Sequence, residues 1–167
     1  QLSEQELVRR QSLQTMRDMG INPYPADEYV VTGYSTDIKA TFVDAEGDEA
    51  EGWYTGKPVR IAGRLMSRRI MGKASFIEVQ DSKGRIQVYV SRDDIQAPVP
   101  EGETATTVEQ QMYNVVFKKL LDIGDFIGIE GFVFRTQMGE ISVHAKKLTV
   151  LAKSLKPLPI VKYKDGV

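Results

Sequence analysis

The chain contains no cysteine and only one histidine, His144, among its 167 residues. The absence of cysteine excludes a disulfide framework and any thiolate metal site. A single histidine argues against a histidine-based metal centre or a Ser-His-Asp triad, and the adjacent carboxylates Asp93 and Asp94 have no evident partner. The sequence therefore predicts no catalytic residue, no metal site and no cofactor site in this chain.

Long apolar runs are missing as well. No stretch approaches the roughly 18 consecutive apolar residues of a membrane span. The polar N-terminal segment QLSEQELVRR lacks the apolar core of a signal peptide. With 41% hydrophobic and 27% charged residues, the composition is that of a soluble globular protein, and no membrane partner is expected. The absence of cysteine fits a reducing compartment, and we expect a cytoplasmic location.

Acidic residues are absent from residues 53–77, although the net charge of the whole chain is only -1. A basic segment in a near-neutral chain can bind phosphate locally, so Arg64, Arg68 and Lys73 are candidate nucleic-acid contacts. The alternative is a solvated charged face, and charge alone does not decide between the two. The segment contains six basic residues: Lys57, Arg60, Arg64, Arg68, Arg69 and Lys73.

Helical spacing of the apolar residues dominates residues 1–56. An N-terminal capping box followed by apolar residues at helical intervals predicts a helix over about residues 4–19. A second short helix is predicted to start near Ser35 and to reach Val43. The acidic segment at residues 44–56 is predicted to form a loop or a frayed helix end.

From residue 58 onward the period of the hydrophobic pattern changes to two. A helix is predicted between the third and fourth strands, at about residues 113–121. Five strands in this order, with that helix, predict a mainly β fold: a five-stranded OB-fold Greek-key barrel with an N-terminal helical extension. The alternation places the five strands at about residues 59–66, 74–80, 85–90, 126–135 and 140–151.

This order of elements divides the chain into three parts. We expect a helical extension over residues 1–56, an OB-fold domain over residues 57–153 and a linker over residues 154–167. A surface insertion is expected within the second part, at about residues 96–111. The K-P-L-P tail is stiff and extended, which favours a linker toward a further domain that is absent from this chain.

An aromatic side chain occupies the predicted outer face of the second strand. Phe76 alternates with Ser75 and Ile77, so it shares a face with the polar side chains of Glu78 and Gln80. The corresponding face of OB-folds binds single-stranded nucleic acid, whose bases stack on aromatic side chains for about 1–3 kcal/mol each. Phe76 is therefore a candidate stacking residue. The alternative is that it packs beneath the N-terminal helices.

The neighbours of Phe76 supply hydrogen-bonding groups. By the alternation of the adjacent strand, Gln87 lies on the same outer face as Phe76, and its amide can both donate to and accept from a base edge. Arg68 and Arg69 are placed in the loop that opens the second strand, where a guanidinium can pair with a phosphate or a base carbonyl. Tyr89 points outward beside Gln87 and is a candidate second platform or rim contact.

Two residues near the last predicted strand border the same face. Glu140 follows the turn at residues 136–139, where its carboxylate would repel phosphate unless it accepted a hydrogen bond from a base N–H. A uracil N3–H or an exocyclic amine would serve, whereas the alternative is a solvated carboxylate. His144 has the same parity as Glu140 and is interpreted as a half-exposed strand histidine.

Several stretches together form a recognisable set of motifs: GINPYP at residues 20–25, GRLMSRRIMGKASFIEVQDSKGRIQVYVSRDD at 63–94, YNVVFKK at 113–119, DIGD at 122–125, TQMGEISV at 136–143 and LKPLP at 155–159. They closely resemble the N-terminal anticodon-binding domain of bacterial-type class II lysyl-tRNA synthetases. The resemblance covers nearly the whole chain, and R-R-I-M-G-K-A-S-F is specific to the lysine enzyme among the related Asp, Asn and Lys enzymes. The segment at residues 96–111 departs from the family, in which many members have a short connection.

The resemblance implies a function for four residues of this face. The central anticodon uridine would stack on Phe76 and be hydrogen-bonded by Arg69 and Gln87, while Glu140 would help to read the neighbouring base. The implied partners are the anticodon stem-loop of tRNA(Lys), the catalytic domain of the same full-length protein and a second copy of that protein in a homodimer. ATP and magnesium would belong to the absent catalytic domain, so this chain alone is expected to be inactive as a ligase.

Three alternatives remain open from the sequence. The chain could be the corresponding domain of an aspartyl- or asparaginyl-tRNA synthetase, or a free-standing tRNA-binding OB protein, although the K-P-L-P tail argues against the latter. It could also be an OB-fold protein-interaction scaffold whose Phe76 face binds protein. Such a scaffold would not distinguish RNA sequences, and its binding would depend only weakly on salt.

Overall fold

The computed structural model describes residues 3–22, 28–46 and 52–155 of the chain. The predicted linker beyond residue 155 therefore lies outside the described residues. The helices are α1 (Glu4–Asp18), α2 (Ser35–Thr41) and α3 (Arg92–Ile95), followed by a 3₁₀ turn (Glu109–Gln111) and a π-helix (Met112–Leu120). The strands are β1 (Phe42–Glu46), β2 (Trp53–Thr55), β3 (Pro58–Met71), β4 (Ala74–Gln80), β5 (Arg85–Ser91), β6 (Phe126–Arg135) and β7 (Ile141–Ala152).

Strands β3 to β7 form a closed barrel in the order β3-β4-β5-β7-β6, with β6 returning to β3. The β5–β7 pair is parallel and the other pairs are antiparallel. Alternate residues of β4 and β5 enter the core; Ile77 and Val79 of β4, for example, are each 1% exposed. The closed five-stranded sheet confirms the predicted OB-fold barrel. Burying one face of a strand requires the period-two pattern that β4 and β5 carry.

Strand β3 is longer than the alternation indicated. It extends to Met71, whereas the pattern ended near Met66. It pairs with β6 along its first half and with β4 along its second, and a β-bulge lies between Leu65 and Ser67. The second half of β3 pairs with β4, and most of the β3 side chains there are exposed. This half of β3 therefore lacks the buried face that produces an alternating sequence.

Arg68 and Arg69 therefore lie in a strand, and the prediction that they lie in a loop is wrong. The turn between β3 and β4 is instead at Gly72, which has a φ of 64°, and Lys73. Because a bulge inserts one residue, it reverses the faces on which successive side chains lie. Arg69 is thereby placed opposite Phe76 on the outer face, whereas Arg68 pairs with a position whose side chain is in the core.

Helix α1 begins where the capping pattern predicted. The Ser3 hydroxyl oxygen accepts a hydrogen bond of 3.2 Å from the Glu6 backbone N–H, and Gly20 has a φ of 88° just beyond the C-terminal end. Met16 is fully buried in the hydrophobic core that also contains the barrel interior. This helix therefore contributes directly to the core rather than lying on its surface.

The prediction for the segment after α2 is wrong in two respects. The helix ends at Thr41, so Val43 belongs to β1 and not to a helix. Part of the predicted loop at residues 44–56 also forms a sheet, because β1 pairs in parallel with β2, starting with Phe42 opposite Trp53. Both strands are too short to produce a readable alternation, and residues 47–51 lie outside the described residues.

The helix predicted between the third and fourth barrel strands is present as a π-helix. Four of its side chains are buried: Tyr113, Val116, Phe117 and Leu120. The Tyr113 hydroxyl lies 2.8 Å from Ser75 Oγ and donates a 3.0 Å hydrogen bond to the carbonyl of Gly72. The π-helix thus packs on the core and is anchored to the β3–β4 hairpin.

Asp81 ties the β4–β5 turn to the start of α2. Its carboxylate accepts hydrogen bonds from the backbone N–H groups of Ser35, Lys83 and Gly84 and from the Ser35 hydroxyl. Burial raises the pKa of Asp81, but the hydrogen bonds outweigh burial and hold this pKa below its usual value of 3.8. The ionised carboxylate is therefore the form that the folded state favours.

The lowered pKa of Asp81 predicts acid-sensitive stability. Its contribution is complete above the unfolded-state pKa of 3.8 and is lost as pH falls through the lower folded-state pKa. Because Asp81 is partly exposed, we expect Asp81→Asn to lower the free energy of unfolding at neutral pH by only about 1 kcal/mol and to weaken the pH dependence in acid. Urea unfolding at a series of pH values checks this. The exposed Asp93→Asn variant is the control, and unchanged acid sensitivity of Asp81→Asn would contradict the prediction.

Candidate nucleic-acid interface

Five side chains form a continuous row across the outer face of the barrel, one from each strand. The strand registers place each member opposite the next. Ring centroids are 5.3 Å apart for Phe76 and Tyr89, 5.0 Å for Tyr89 and His144, and 4.7 Å for His144 and Phe132. We call this set the aromatic row. It consists of one guanidinium, that of Arg69 of β3, followed by four rings: Phe76 of β4, Tyr89 of β5, His144 of β7 and Phe132 of β6.

Phe76 lies near the β3 end of the aromatic row and is only partly buried. The Tyr89 ring is tilted by 59° against it, and the Arg69 guanidinium carbon lies 5.8 Å from its ring centroid. Phe76 also lines an open cavity. It is therefore not buried beneath the N-terminal helices, which was the alternative that the sequence left open.

A second row beside the aromatic row carries hydrogen-bonding groups. Glu78 is opposite Gln87, and Gln87 is opposite Ser142. The buried Ser142 hydroxyl donates a 2.9 Å hydrogen bond to Gln87 Oε1. Because the amide oxygen is held in this way, the two N–H donors on Gln87 Nε2 remain for another acceptor.

The β6–β7 hairpin borders these rows. The Thr136 N–H donates to the Glu140 carbonyl, and Gly139 has the φ of 90° that this turn requires. Arg135 reinforces the turn, since it donates to the Gly139 carbonyl at 2.9 Å and to both carboxylate oxygens of Asp44 at 2.9 and 3.1 Å. The hairpin therefore holds Glu140 at a defined place beside the cavity.

Side chains of both rows and of the hairpin enclose one open cavity of about 630 Å³. An aromatic face, guanidinium and amide donors and carboxylate acceptors meet there. Stacking and edge recognition of an unpaired base use these groups. The lining residues are Arg69, Phe76, Glu78, Gln87, Tyr89, Phe134, Thr136, Gln137, Met138, Glu140 and His144.

Five of the eight residues predicted for nucleic-acid binding line this cavity. Four come from the barrel strands and one from the β6–β7 hairpin. Because the closed barrel aligns strands that are distant in sequence, it brings these side chains to one place. The five residues are Arg69, Phe76, Gln87, Tyr89 and Glu140.

The structure does not place Arg64, Arg68 and Lys73 in the cavity lining. Arg68 donates 2.8 Å hydrogen bonds to the carbonyls of Phe117 and Leu121, and burial lowers its pKa. Arg64 lies before the bulge, with its guanidinium carbon 4.7 Å from the centroid of the Phe126 ring. Lys73 lies in the β3–β4 turn. For Arg68 the bulge explains the separation, because it moves Arg68 off the face that carries Phe76.

Asp94 has partners that the sequence did not indicate. His144 Nε2 lies 2.6 Å from Asp94 Oδ2, and Lys146 Nζ donates to Asp94 Oδ1 at 2.7 Å. Burial raises the pKa of Asp94, but the hydrogen bonds from Lys146 and His144 outweigh it and lower this pKa. The view that Asp94 lacks a partner is therefore wrong, and its carboxylate holds the His144 member of the aromatic row.

Sequence reasoning missed several cavity residues. Phe134 follows the buried Val133 on β6, so the alternation that identified Phe76 also indicated that Phe134 points outward. Glu78 was placed on the correct face but was not assigned a role. The sequence did not indicate a role for Met138, because residues in a turn follow no periodic pattern that would predict where their side chains point.

A family model for tRNA anticodon domains, described as an OB-fold nucleic acid binding domain, matches residues 59–151. The chain belongs to this family. The match spans the closed barrel almost from end to end and includes every residue that lines the cavity. Membership in the anticodon family therefore rests on the same part of the chain that builds the candidate site.

Curated relatives of this anticodon-family domain carry the name lysine–tRNA ligase. One from Porphyromonas gingivalis is 57% identical over 99% of this chain and 26% of its own length. One from Christiangramia forsetii is 53% identical over 97% of this chain and 25% of its own length, and one from Aeromonas hydrophila is 46% identical over 95% and 27%. The predicted resemblance is thus confirmed, and the chain spans about a quarter of the length of these relatives.

The described part of this anticodon-family domain has neither a membrane-spanning helix nor a cluster of metal-binding side chains. None of the helices in the described residues is long and apolar enough to cross a membrane. The same residues contain no cluster of three or more histidine, cysteine, aspartate or glutamate side chains that could hold a metal ion.

Proposed function

We propose that this chain is the anticodon-recognition domain of a lysine–tRNA ligase and that it binds the central anticodon uridine on Phe76. One observation carries the proposal. Phe76 lies between Arg69 and Gln87 in a single open cavity, so a base stacked on the ring would have hydrogen-bond donors beside it. The names of the relatives support the choice of lysine among the amino acids.

Stacking on Phe76 supplies affinity with little dependence on base identity, because every base has an aromatic face. Each such stack contributes about 1–3 kcal/mol. Arg69 is exposed and lies near the ring, where its guanidinium can donate to a base carbonyl or to a phosphate. Phe76 and Arg69 together therefore account for holding an unpaired nucleotide.

Gln87 provides the discrimination between bases. With Oε1 engaged by Ser142, its Nε2 donates to a carbonyl such as O4 of uracil. Cytosine presents an amine at that position, so two donors would face each other and the Gln87 amide would lose its partner. An unpaired polar group in a desolvated site disfavours the wrong base.

Glu140 is proposed to read the neighbouring base. Its carboxylate accepts hydrogen bonds only, and both uracil N3–H and exocyclic amines are donors. Glu78 is a second carboxylate in the cavity, but it pairs with Arg85 at 3.3 Å. Glu140 is therefore the better placed acceptor for a base that carries an N–H group.

The activity of the whole protein is also part of the proposal. We propose that the parent is a cytoplasmic, homodimeric enzyme that ligates lysine to tRNA(Lys) in two ATP-dependent steps. In that enzyme this domain would select the tRNA, and ATP and magnesium would act in a separate catalytic domain. The names of the relatives, and the quarter of their length that this chain spans, support this division of labour.

The division of this chain follows the same proposal. We propose an N-terminal extension over residues 1–56, which contains β1 and β2 besides its helices, an OB-fold over residues 57–153 and a linker over residues 154–167. The family match over residues 59–151 supports the bounds of the middle part. The insertion at residues 96–111 contributes no lining residue to the cavity. We propose that it projects away from the anticodon face.

Replacement of Gln87 tests the proposed discrimination. The probes are RNA stem-loops that differ only in uridine or cytidine at the central anticodon position. We expect Gln87→Ala to reduce the preference for uridine by about 1 kcal/mol, roughly fivefold, because one hydrogen bond to the base is lost. Fluorescence anisotropy titrations at fixed salt measure the four affinities.

Gln80→Ala is the matched control, since Gln80 is also an outer-face glutamine of the barrel but does not line the cavity. It should leave the preference unchanged. Equal affinity of the wild-type chain for both stem-loops would refute the proposed readout. Binding that is blind to sequence and insensitive to salt would instead favour a protein-interaction scaffold, because phosphate contacts make affinity fall with salt.

A further inference from the structure

Met138 has the most exposed large hydrophobic side chain among the described residues. It is 94% exposed, whereas the next, Val30, is 64% exposed. Single exposed apolar residues are common and need no explanation by themselves. The position of Met138 does call for one, because the side chain is both exposed and part of the lining of the cavity that contains Phe76.

The hairpin that carries Met138 is well ordered by hydrogen bonds. The Gly139 N–H donates to the Thr136 carbonyl at 2.9 Å, and the Glu140 N–H donates to Thr136 Oγ1 at 3.1 Å. Arg135 braces the same turn through the Gly139 carbonyl. The backbone under Met138 is thus held in place, while the side chain itself has few contacts within the domain.

We propose that Met138 is a further RNA-binding residue, whose thioether packs against the base that flanks the one stacked on Phe76. This inference rests on the proposed function, since it requires an RNA loop in the cavity. The hairpin borders the cavity from the β6 and β7 side, whereas Phe76 belongs to β4. A loop whose central base covers Phe76 would bring a neighbouring base toward the hairpin.

Methionine suits this task chemically. Its side chain has several rotatable bonds and a polarisable sulfur, so it can adapt to the face of any base. Its neighbour Glu140 is an acceptor for base N–H groups. Met138 would therefore supply apolar contact to the flanking base while Glu140 reads an edge.

The test compares binding of RNA stem-loops to the full chain and to three variants. The first probe has three uridines in the anticodon, and two further probes carry an abasic residue at one or the other position flanking the central uridine. We expect Met138→Ala to weaken binding of the first probe by roughly two- to tenfold. That loss should disappear with one of the two abasic probes, because the base that Met138 contacts is then missing.

Met71→Ala is the matched control, since Met71 is an exposed methionine of another hairpin that does not line the cavity. It should leave the affinity for all probes unchanged. Phe76→Ala should weaken binding of every probe, including both abasic ones. Because Met138 is almost fully exposed, its replacement should not change the thermal unfolding midpoint.

The failures of the two proposals are distinguishable. If Met138→Ala binds like the wild type while Phe76→Ala binds weakly, the Met138 inference is wrong and the proposed function stands. If the Met138→Ala loss is equal for all three probes, Met138 does not contact a base and the inference is also wrong. If neither variant weakens binding, the proposed function itself fails.

Discussion

Replacing Phe76 with alanine is expected to weaken binding of a lysine-type anticodon stem-loop by about 1–3 kcal/mol, because a base loses its stacking platform. The domain should remain folded, since Phe76 is partly exposed and lies outside the hydrophobic core. Isothermal titration calorimetry measures the affinity, and circular dichroism with thermal unfolding checks the fold. Phe76→Tyr should retain most of the affinity, because a phenol ring still stacks.

Tyr34→Ala is a matched control for this loss. Tyr34 is an aromatic residue with 40% exposure that does not line the cavity, so its removal should leave RNA affinity unchanged. Two results would count against the role of Phe76. One is a variant that binds as tightly as the wild type, and the other is a variant that unfolds, which would make Phe76 a structural residue.

The second large effect is expected at Lys153, just beyond β7. Its side chain is 1% exposed and pairs with the carboxylates of Asp122 and Asp125, and the Asp125 side chain is fully buried. Removing one partner of a buried ion pair leaves a charge without compensation and costs about 3–5 kcal/mol. Asp125 retains hydrogen bonds from the backbone N–H groups of Asp122 and Ser154.

We therefore expect Lys153→Met to lower the free energy of unfolding by about 3 kcal/mol, near the lower end of that range. Chemical denaturation with urea at neutral pH provides the measurement. Lys147→Met within β7 is the control, because the Lys147 side chain is 71% exposed and pairs with Glu130 only at 3.9 Å. That variant should change stability by less than about 0.5 kcal/mol. Equal effects of the two replacements would contradict the argument.

The strand pattern shows how far the sequence alone leads. The bounds of β4 follow from alternation, because alternate residues of this strand are buried in the barrel and the others are not. The same alternation places Phe76 and Gln87 on the outer face. Helix α1 is also predictable, since its cap and its terminal glycine are local signals.

The errors share a different physical origin. After Leu65 most side chains of β3 are exposed and none is fully buried, and β1 and β2 are short, so none of these segments carries a periodic pattern. The bulge between Leu65 and Ser67 is set by pairing with β4, which lies later in the chain. A local pattern cannot reveal that pairing, and this is why the sequence did not separate the face of Arg68 from that of Arg69.

Closure of the barrel determines which side chains meet in the cavity. Parallel pairing of β5 with β7 sets Gln87 beside Ser142 and Tyr89 beside His144, although each pair is 55 residues apart. The alternation along each strand indicated that these side chains point outward, but it did not indicate which of them are in contact. The same closure brings the β6–β7 hairpin, with Met138 and Glu140, to the edge of the Phe76 face.

By itself the sequence determined the OB-fold, the outward position of Phe76 and the family, because hydrophobic period and short motifs are local properties of the chain. Only the tertiary structure decided that Arg68 lies off the Phe76 face, which groups orient Gln87 and which side chains enclose the cavity. Those depend on register, on a bulge and on closure of the barrel. Each of these is set by contacts between residues far apart in sequence, and a local pattern does not encode them.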